Sequence, residues 1–122
     1  MKIEKFEDII AWQKAKELIY NIYTIFKPHR DWGFKDQIQR AGVSVMNNIA
    51  EGFYRKSDRE FKRFLTIALG SLGELKSMLI LAVHLKYISE ALQSTLTDQL
   101  NQIGKMINSL ISYLGREIGS SK

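Results

Sequence analysis

The chain has no cysteine, one proline and two histidines among its 122 residues. Without cysteine there is no disulfide, no iron–sulfur cluster and no thiolate zinc site, which fits a reducing compartment. The histidines are isolated: His84 has Leu81 three residues before it, and His29 follows Pro28. Neither completes the Glu-x-x-His pairs by which helical bundles hold paired metals, and together they do not supply the clustered ligands zinc requires. A phosphate-binding glycine loop and a nucleophile elbow are also missing. Long apolar runs are scarce, the longest being Met78 to Val83, far short of the roughly 20 residues of a membrane span. The first eight residues carry acids and no apolar stretch, unlike a secretory signal. The expectation is a soluble, cytoplasmic protein with no metal and no cofactor.

With one proline and weak strand signals, helix is the only sustained period. Ile9, Trp12, Ala15, Ile19, Ile22 and Phe26 recur every three or four residues, which predicts a helix over about 8–26 ending at Pro28. Trp32 and Phe34 fall in the following connection and are expected to cap the core. A second helix is predicted over about 35–54. Ser57 and Glu60 have capping-box spacing, so a third helix should run over about 58–86, with Phe61, Leu65, Ala68, Leu72, Leu75, Leu79 and Ala82 on its seam. A fourth, over about 90–118, follows Ser89 and carries Leu92, Leu96, Leu100, Ile103, Ile107, Leu110 and Leu114. Short connections make consecutive helices antiparallel, so the fold class is all-α: one up-down-up-down four-helix bundle over 1–122. Gly70 and Gly73, inside the third helix, are expected where a neighbouring backbone comes close.

The third helix also has Phe64, Ile67, Met78, Leu81 and Leu85 off its seam, and the fourth has Ile111 and Ile118. Either these residues flank a wide core or they form an adhesive stripe between copies.

Helix two mixes apolar stripes with a polar line, Gln37, Arg40, Ser44, Asn48, Glu51 and Arg55. Any of these that is desolvated needs a partner. Arg40, Ser44, Asn48 and Glu51 are read as a structural polar layer, with Glu51 accepting from Arg40, Asn48 or the start of helix three. Glu51 and Glu74 are the remaining acids that could share a proton, but no histidine or thiol accompanies them, and no catalytic residue is assigned.

Bases exceed acids by 18 to 13, a net charge of +5. Arg55, Lys56, Arg59, Lys62 and Arg63 place five of them in nine residues, against Asp58 and Glu60, whereas residues 91–115 hold only Asp98 and Lys105 as charges. At a helix start, bare amides and the positive dipole end add to such side chains, so this corner should attract phosphates. The competing reading is a solvated face that serves solubility. Tyr54 and Phe53 lie close by, Phe53 being expected in the core.

Trp12-Gln13-Lys14-Ala15, Gln37-Ile38-Gln39-Arg40-Ala41, Ser44-Val45 with Asn48-Ile49-Ala50-Glu51-Gly52, and Ile67 to Leu75 resemble the 23S rRNA intervening-sequence protein family over about residues 6–118. The resemblance implies a small bacterial four-helix bundle without enzymatic activity. It also implies a relationship to the accessory variability proteins of diversity-generating retroelements, which form pentameric basic barrels that bind nucleic acid and a reverse transcriptase. The combined expectation is a non-enzymatic homo-oligomer, a pentamer by resemblance, that binds RNA or DNA through Arg55, Lys56, Arg59, Lys62 and Arg63. The alternative is an adaptor that docks a protein such as a reverse transcriptase.

Overall fold

Three short polar side chains set where the helices begin. Asp31 accepts from the Phe34 amide at 3.1 Å, Ser57 from the Glu60 amide at 3.1 Å and Ser89 from the Leu92 amide at 3.0 Å, each satisfying a donor that the first helical turn leaves bare. The computed structural model, which describes residues 3–120, accordingly has a 3-10 turn at Phe6–Asp8 followed by α1 (Ile10–Phe26), α2 (Trp32–Tyr54), α3 (Asp58–His84) and α4 (Glu90–Ser120). No strand occurs among the described residues.

The helices match the expected ones to within two residues at each end except at the start of α2, and one expected cap is incomplete. Because Asp31 is the cap, α2 starts three residues before the expected Lys35, and Trp32 and Phe34 fall in its first turn. Phe34 is buried, but Trp32 is 68% exposed, with the Lys35 ammonium 3.8 Å from its ring centroid, so it does not cap the core. At Ser57 only half of a capping box forms: the serine accepts its bond, while the Glu60 carboxylate bonds Arg63 instead of reaching back to the cap amide.

The four helices form a bundle in which each packs on its neighbours in chain order and α4 returns to α1, leaving α1 and α3 diagonal to one another. Contacts run in opposite senses along consecutive helices. Gly42 meets Ile19 while Tyr54 meets Phe6; Gly52 meets Phe61 and Phe64, Ser44 meets Ser71, and Asp31 meets Tyr87. All seven expected seam residues of α3 are buried, as are Leu96, Leu100, Ile103, Ile107 and Leu114 of α4. Leu92 and Leu110 are half-buried against the same core.

The glycines act elsewhere than expected. A Cβ on Gly70 or Gly73 would meet nothing within 4 Å, so within one chain no backbone approaches there. Close approach occurs instead at Gly42, where a Cβ would lie 2.8 Å from Ile19 Cγ1, and at Gly52, where it would lie 2.7 Å from Phe64 Cβ and 3.0 Å from Phe61 Cδ1.

The off-seam apolar residues of α3 divide. Phe64 is buried and Met78 half-buried, whereas Ile67, Ile80, Leu81 and Leu85 are exposed. Ile111 of α4 packs half-buried on the core. Among the described residues α3 is also the one helix long and apolar enough, by length and composition, to cross a membrane, with mean hydropathy 1.5 over an 18-residue stretch of which 39% is buried in the bundle. The small count of uninterrupted apolar residues conceals this, because isolated glycines, serines and charges break the run without lowering its average much.

At the opposite end of the bundle from the α2–α3 turn, the Tyr87 hydroxyl donates to Asp31 Oδ2 at 2.6 Å, and the Tyr87 ring lies 4.2 Å from that of His29 and 5.3 Å from that of Phe34. The same carboxylate therefore caps α2 and ties the α3–α4 connection to it. The bond from Tyr87, and then that from the Phe34 amide, hold the Asp31 carboxyl below its ordinary range; the bond to Asp31 pushes the Tyr87 phenol up.

Two predictions follow from this packing. In dilute solution Gly52→Ala should lower the urea midpoint, because overpacking costs about 1–3 kcal/mol, while Gly73→Ala in open space should raise it by the roughly 1 kcal/mol that alanine gains over glycine in a helix; shifts of the same sign would contradict the assignment. The stability gap between wild type and Tyr87→Phe should be widest near neutral pH. Asp31, depressed in the folded state, contributes above its unfolded value of about 4 and loses that contribution as pH falls through its lower folded value. Tyr87, raised in the folded state, contributes below about 10 and loses its contribution as pH rises through its higher folded value. Thermal melts across pH that kept a constant gap would show that the bond does not form.

Candidate nucleic-acid interface

Arg55, Lys56 and Ser57 turn the chain from α2 into α3. Lys56 adopts φ +61°, the left-handed conformation in which glycine is usual after a helix and which costs another residue about 1–2 kcal/mol. A lysine there keeps a positive side chain on the corner, and it is exposed, as are Arg59 and Lys62. Lys62 lies along α4, its Nζ 3.9 Å from the position a Gly115 Cβ would occupy. Lys56, Ser57, Asp58 and Arg59 face Glu117 and Ile118 across an open cavity of about 470 Å³. None of Lys56, Arg59 and Lys62 makes an ion pair among the described residues.

The other two expected phosphate-contact residues are engaged. Arg55 pairs with Glu51 at 2.9 Å and Arg63 with Glu60 at 2.9 Å. Their guanidinium carbons stand 4.9 Å and 4.7 Å from the Phe64 ring centroid, so both lie against the aromatic ring that Gly52 admits against α2. The bond from Arg63 holds the Glu60 carboxyl below its ordinary value, and Glu60 in turn raises the Arg63 guanidinium. Three of the five bases are thus free to meet an external anion, while two already have an internal one.

The expected polar layer is smaller than four residues and only half-buried. Asn48 Nδ2 donates to the Ser44 carbonyl at 2.8 Å and to Ser44 Oγ at 3.0 Å, and Ser44 Oγ lies 2.7 Å from Ser71 Oγ on α3. Arg40 does not join it; exposed, it pairs with Asp36 one turn earlier. Glu51 likewise accepts from Arg55 on its own helix, not from Arg40, Asn48 or α3. No polar or charged residue among those described is buried. The polar line runs along the edge of the buried stripe, so short Ser44 reaches across to α3, Asn48 braces it from one turn later on the same helix, and long Arg40 and Glu51 turn to solvent. Sequence spacing within one helix carries no sign of Ser71, which is joined only across the bundle.

Glu74 and His84 are exposed, and among the described residues no group of three or more histidines and acids is placed to hold a metal ion. Aromatic side chains are better represented. Tyr54 is 62% exposed beside Lys56, held edge-on by Phe6 at 5.8 Å and Phe53 at 5.7 Å, and Phe6 continues to Trp12 at 5.0 Å. Phe53 is half-buried and packs on Phe61.

Among solved structures, the chain is similar to a protein of unknown function from the S23 ribosomal protein family of Bacteroides thetaiotaomicron VPI-5482, with 25% identity, a TM-score of 0.78, and coverage of 84% of this chain and 96% of that one. No curated protein matches it. The family model for 23S rRNA-intervening sequence proteins matches residues 7–109, a span that takes in the α2–α3 turn, the Ser44–Asn48–Ser71 link and all of α1 to α3. The chain belongs to the 23S rRNA-intervening sequence protein family.

Proposed function

We propose that this chain is a non-enzymatic bacterial cytoplasmic protein that self-associates and binds RNA or DNA phosphates without reading sequence. The observation that carries the proposal is the clustering of Lys56, Arg59 and Lys62, exposed and without ion pairs, on one corner of the bundle. Phosphate contact of this kind supplies affinity and register but no base information. The structural neighbour's place in a ribosomal protein family supports RNA as a ligand.

Self-association is supported by the outer face of α3. Ile67, Ile80, Leu81 and Leu85 are exposed along it, and Gly70 and Gly73 leave room for another helix to approach. A ring of five, the form implied for the related branch, would repeat the basic corner and multiply its phosphate contacts. The same face also supports a second reading, in which it docks a different protein, such as a polymerase, and the charge serves solubility.

Titration of a structured RNA and a random duplex across salt separates the two. Affinity should fall steeply with salt, and alanine at Lys56, Arg59 or Lys62 should each reduce the log–log slope by up to about 0.9. Absence of binding even at low salt would remove the nucleic-acid reading and leave the adaptor. Lys56→Gly should bind more weakly while melting at a higher temperature, since it removes the charge and the strained backbone together. For the oligomer, the double variant Ile67→Glu, Leu81→Glu should have a monomer's mass by light scattering on a sizing column and unchanged helix content by circular dichroism; a wild-type monomer at micromolar concentration would dispose of self-association.

A further inference from the structure

The outer face of α1 carries a pattern that its core seam hides. Trp12, Lys16, Tyr20, Tyr23 and Lys27 recur at steps of three or four, so they share one face over about 15 residue steps, roughly 22 Å at 1.5 Å per residue. Tyr20 is 72% exposed and Tyr23 41%, Trp12 is half-buried, and the Lys16 ammonium lies 5.3 Å from the Trp12 ring. Lys16, Glu17, Tyr20 and Asn21 surround an open hollow of about 440 Å³. Glu17, the acid beside it, is paired with Lys14 at 3.6 Å.

This strip connects to the basic corner. Tyr54 contacts Phe6, which contacts Trp12, so a row of three rings joins Lys56 at the corner to the α1 strip of Lys16, Tyr20, Tyr23 and Lys27. Rings this exposed are unusual for a core-forming role, because tyrosine gains little where neither its ring nor its hydroxyl is covered. Single-stranded nucleic acid fits such a surface: bases stack on aromatic faces while lysines follow the phosphates. A duplex does not, since its bases are already stacked and paired.

We infer that Tyr54 and Tyr20, with Lys56 and Lys16, form a stacking path for unpaired nucleotides, making single-stranded nucleic acid the preferred ligand. This inference rests on the nucleic-acid reading of the basic corner and adds the class of ligand to it. Because α1 is diagonal to α3 across the bundle, a second copy seated on the outer face of α3 leaves the same chain's α1 strip open.

The test is fluorescence anisotropy at low salt with labelled RNA and DNA single strands of about a dozen nucleotides, within the site sizes known for such surfaces, and with a blunt duplex of equal length. Wild type should bind the single strands more tightly than the duplex. Tyr20→Ala, at an exposed position where folding is not at stake, should weaken single-strand binding at least about fivefold, as expected for one lost stacking contact, in RNA and DNA alike. Duplex binding and the salt slope should stay unchanged. Tyr54→Ala should do the same, and Tyr20→Phe and Tyr54→Phe should retain affinity, because the ring and not the hydroxyl stacks. Equal loss on duplex and single strand, no loss at all, or loss accompanied by a smaller oligomer in light scattering would overturn the stacking path while duplex binding still upheld the basic corner. Failure of wild type to bind either form would overturn both.

Discussion

The missing side chain at Gly52 governs much of this molecule. It lets α2 lie so close to α3 that a methyl group could not fit beside Phe64 and Phe61, and this contact comes two residues before α2 ends. The turn that follows must then be short and sharp, and its third position is satisfied by the Ser57 cap while Lys56 takes the left-handed backbone. Phe64, seated against Gly52, has both Arg55 and Arg63 over its ring. Packing at one glycine thus sets the geometry of the basic corner.

The amount of structure readable from the sequence tracks the range of the interaction concerned. Seam residues repeat along a helix, so Phe61 to Ala82 and Leu96 to Leu114 could be assigned to the core by spacing alone, and their burial agrees. Serine and aspartate caps act over three residues, so Ser57 and Ser89 are legible; Asp31 is not, because the aromatic residues after it read as a connection. Glycines carry no such local rule. Gly70 and Gly73 stand open while Gly42 and Gly52 are crowded, and the difference depends on which neighbouring helix arrives at each height. The Ser44–Ser71 contact is hidden for the same reason, being 27 residues apart in sequence.

Charge was visible as composition but not as availability. Five bases in nine residues mark the corner, yet intrahelical pairs at three and four residues engage Arg55 and Arg63, and leave Lys56, Arg59 and Lys62 exposed. Such exposed pairs add little stability. Their larger effect is to redistribute the field, since a neutralised arginine over Phe64 attracts an anion less than an unpaired lysine on a turn.

The diagonal placement of α1 and α3 determines how the surfaces can be used together. The outer face of α3 is aliphatic and glycine-containing, suited to close packing against another helix, whereas that of α1 alternates aromatic rings with lysines. Helices that do not touch across a bundle present their outer faces in opposite directions, so burying one does not cover the other. The corner at Lys56 joins them, because it belongs to the start of α3 yet meets the first residues of the α1 region through Tyr54 and Phe6. An assembly closed through α3 would therefore repeat the corner at regular intervals and keep each α1 strip on a surface that a flexible strand can reach. Salt dependence would then come from the exposed bases of the corner and of the α1 strip, and discrimination between paired and unpaired nucleotides from Tyr54 and the rings on α1.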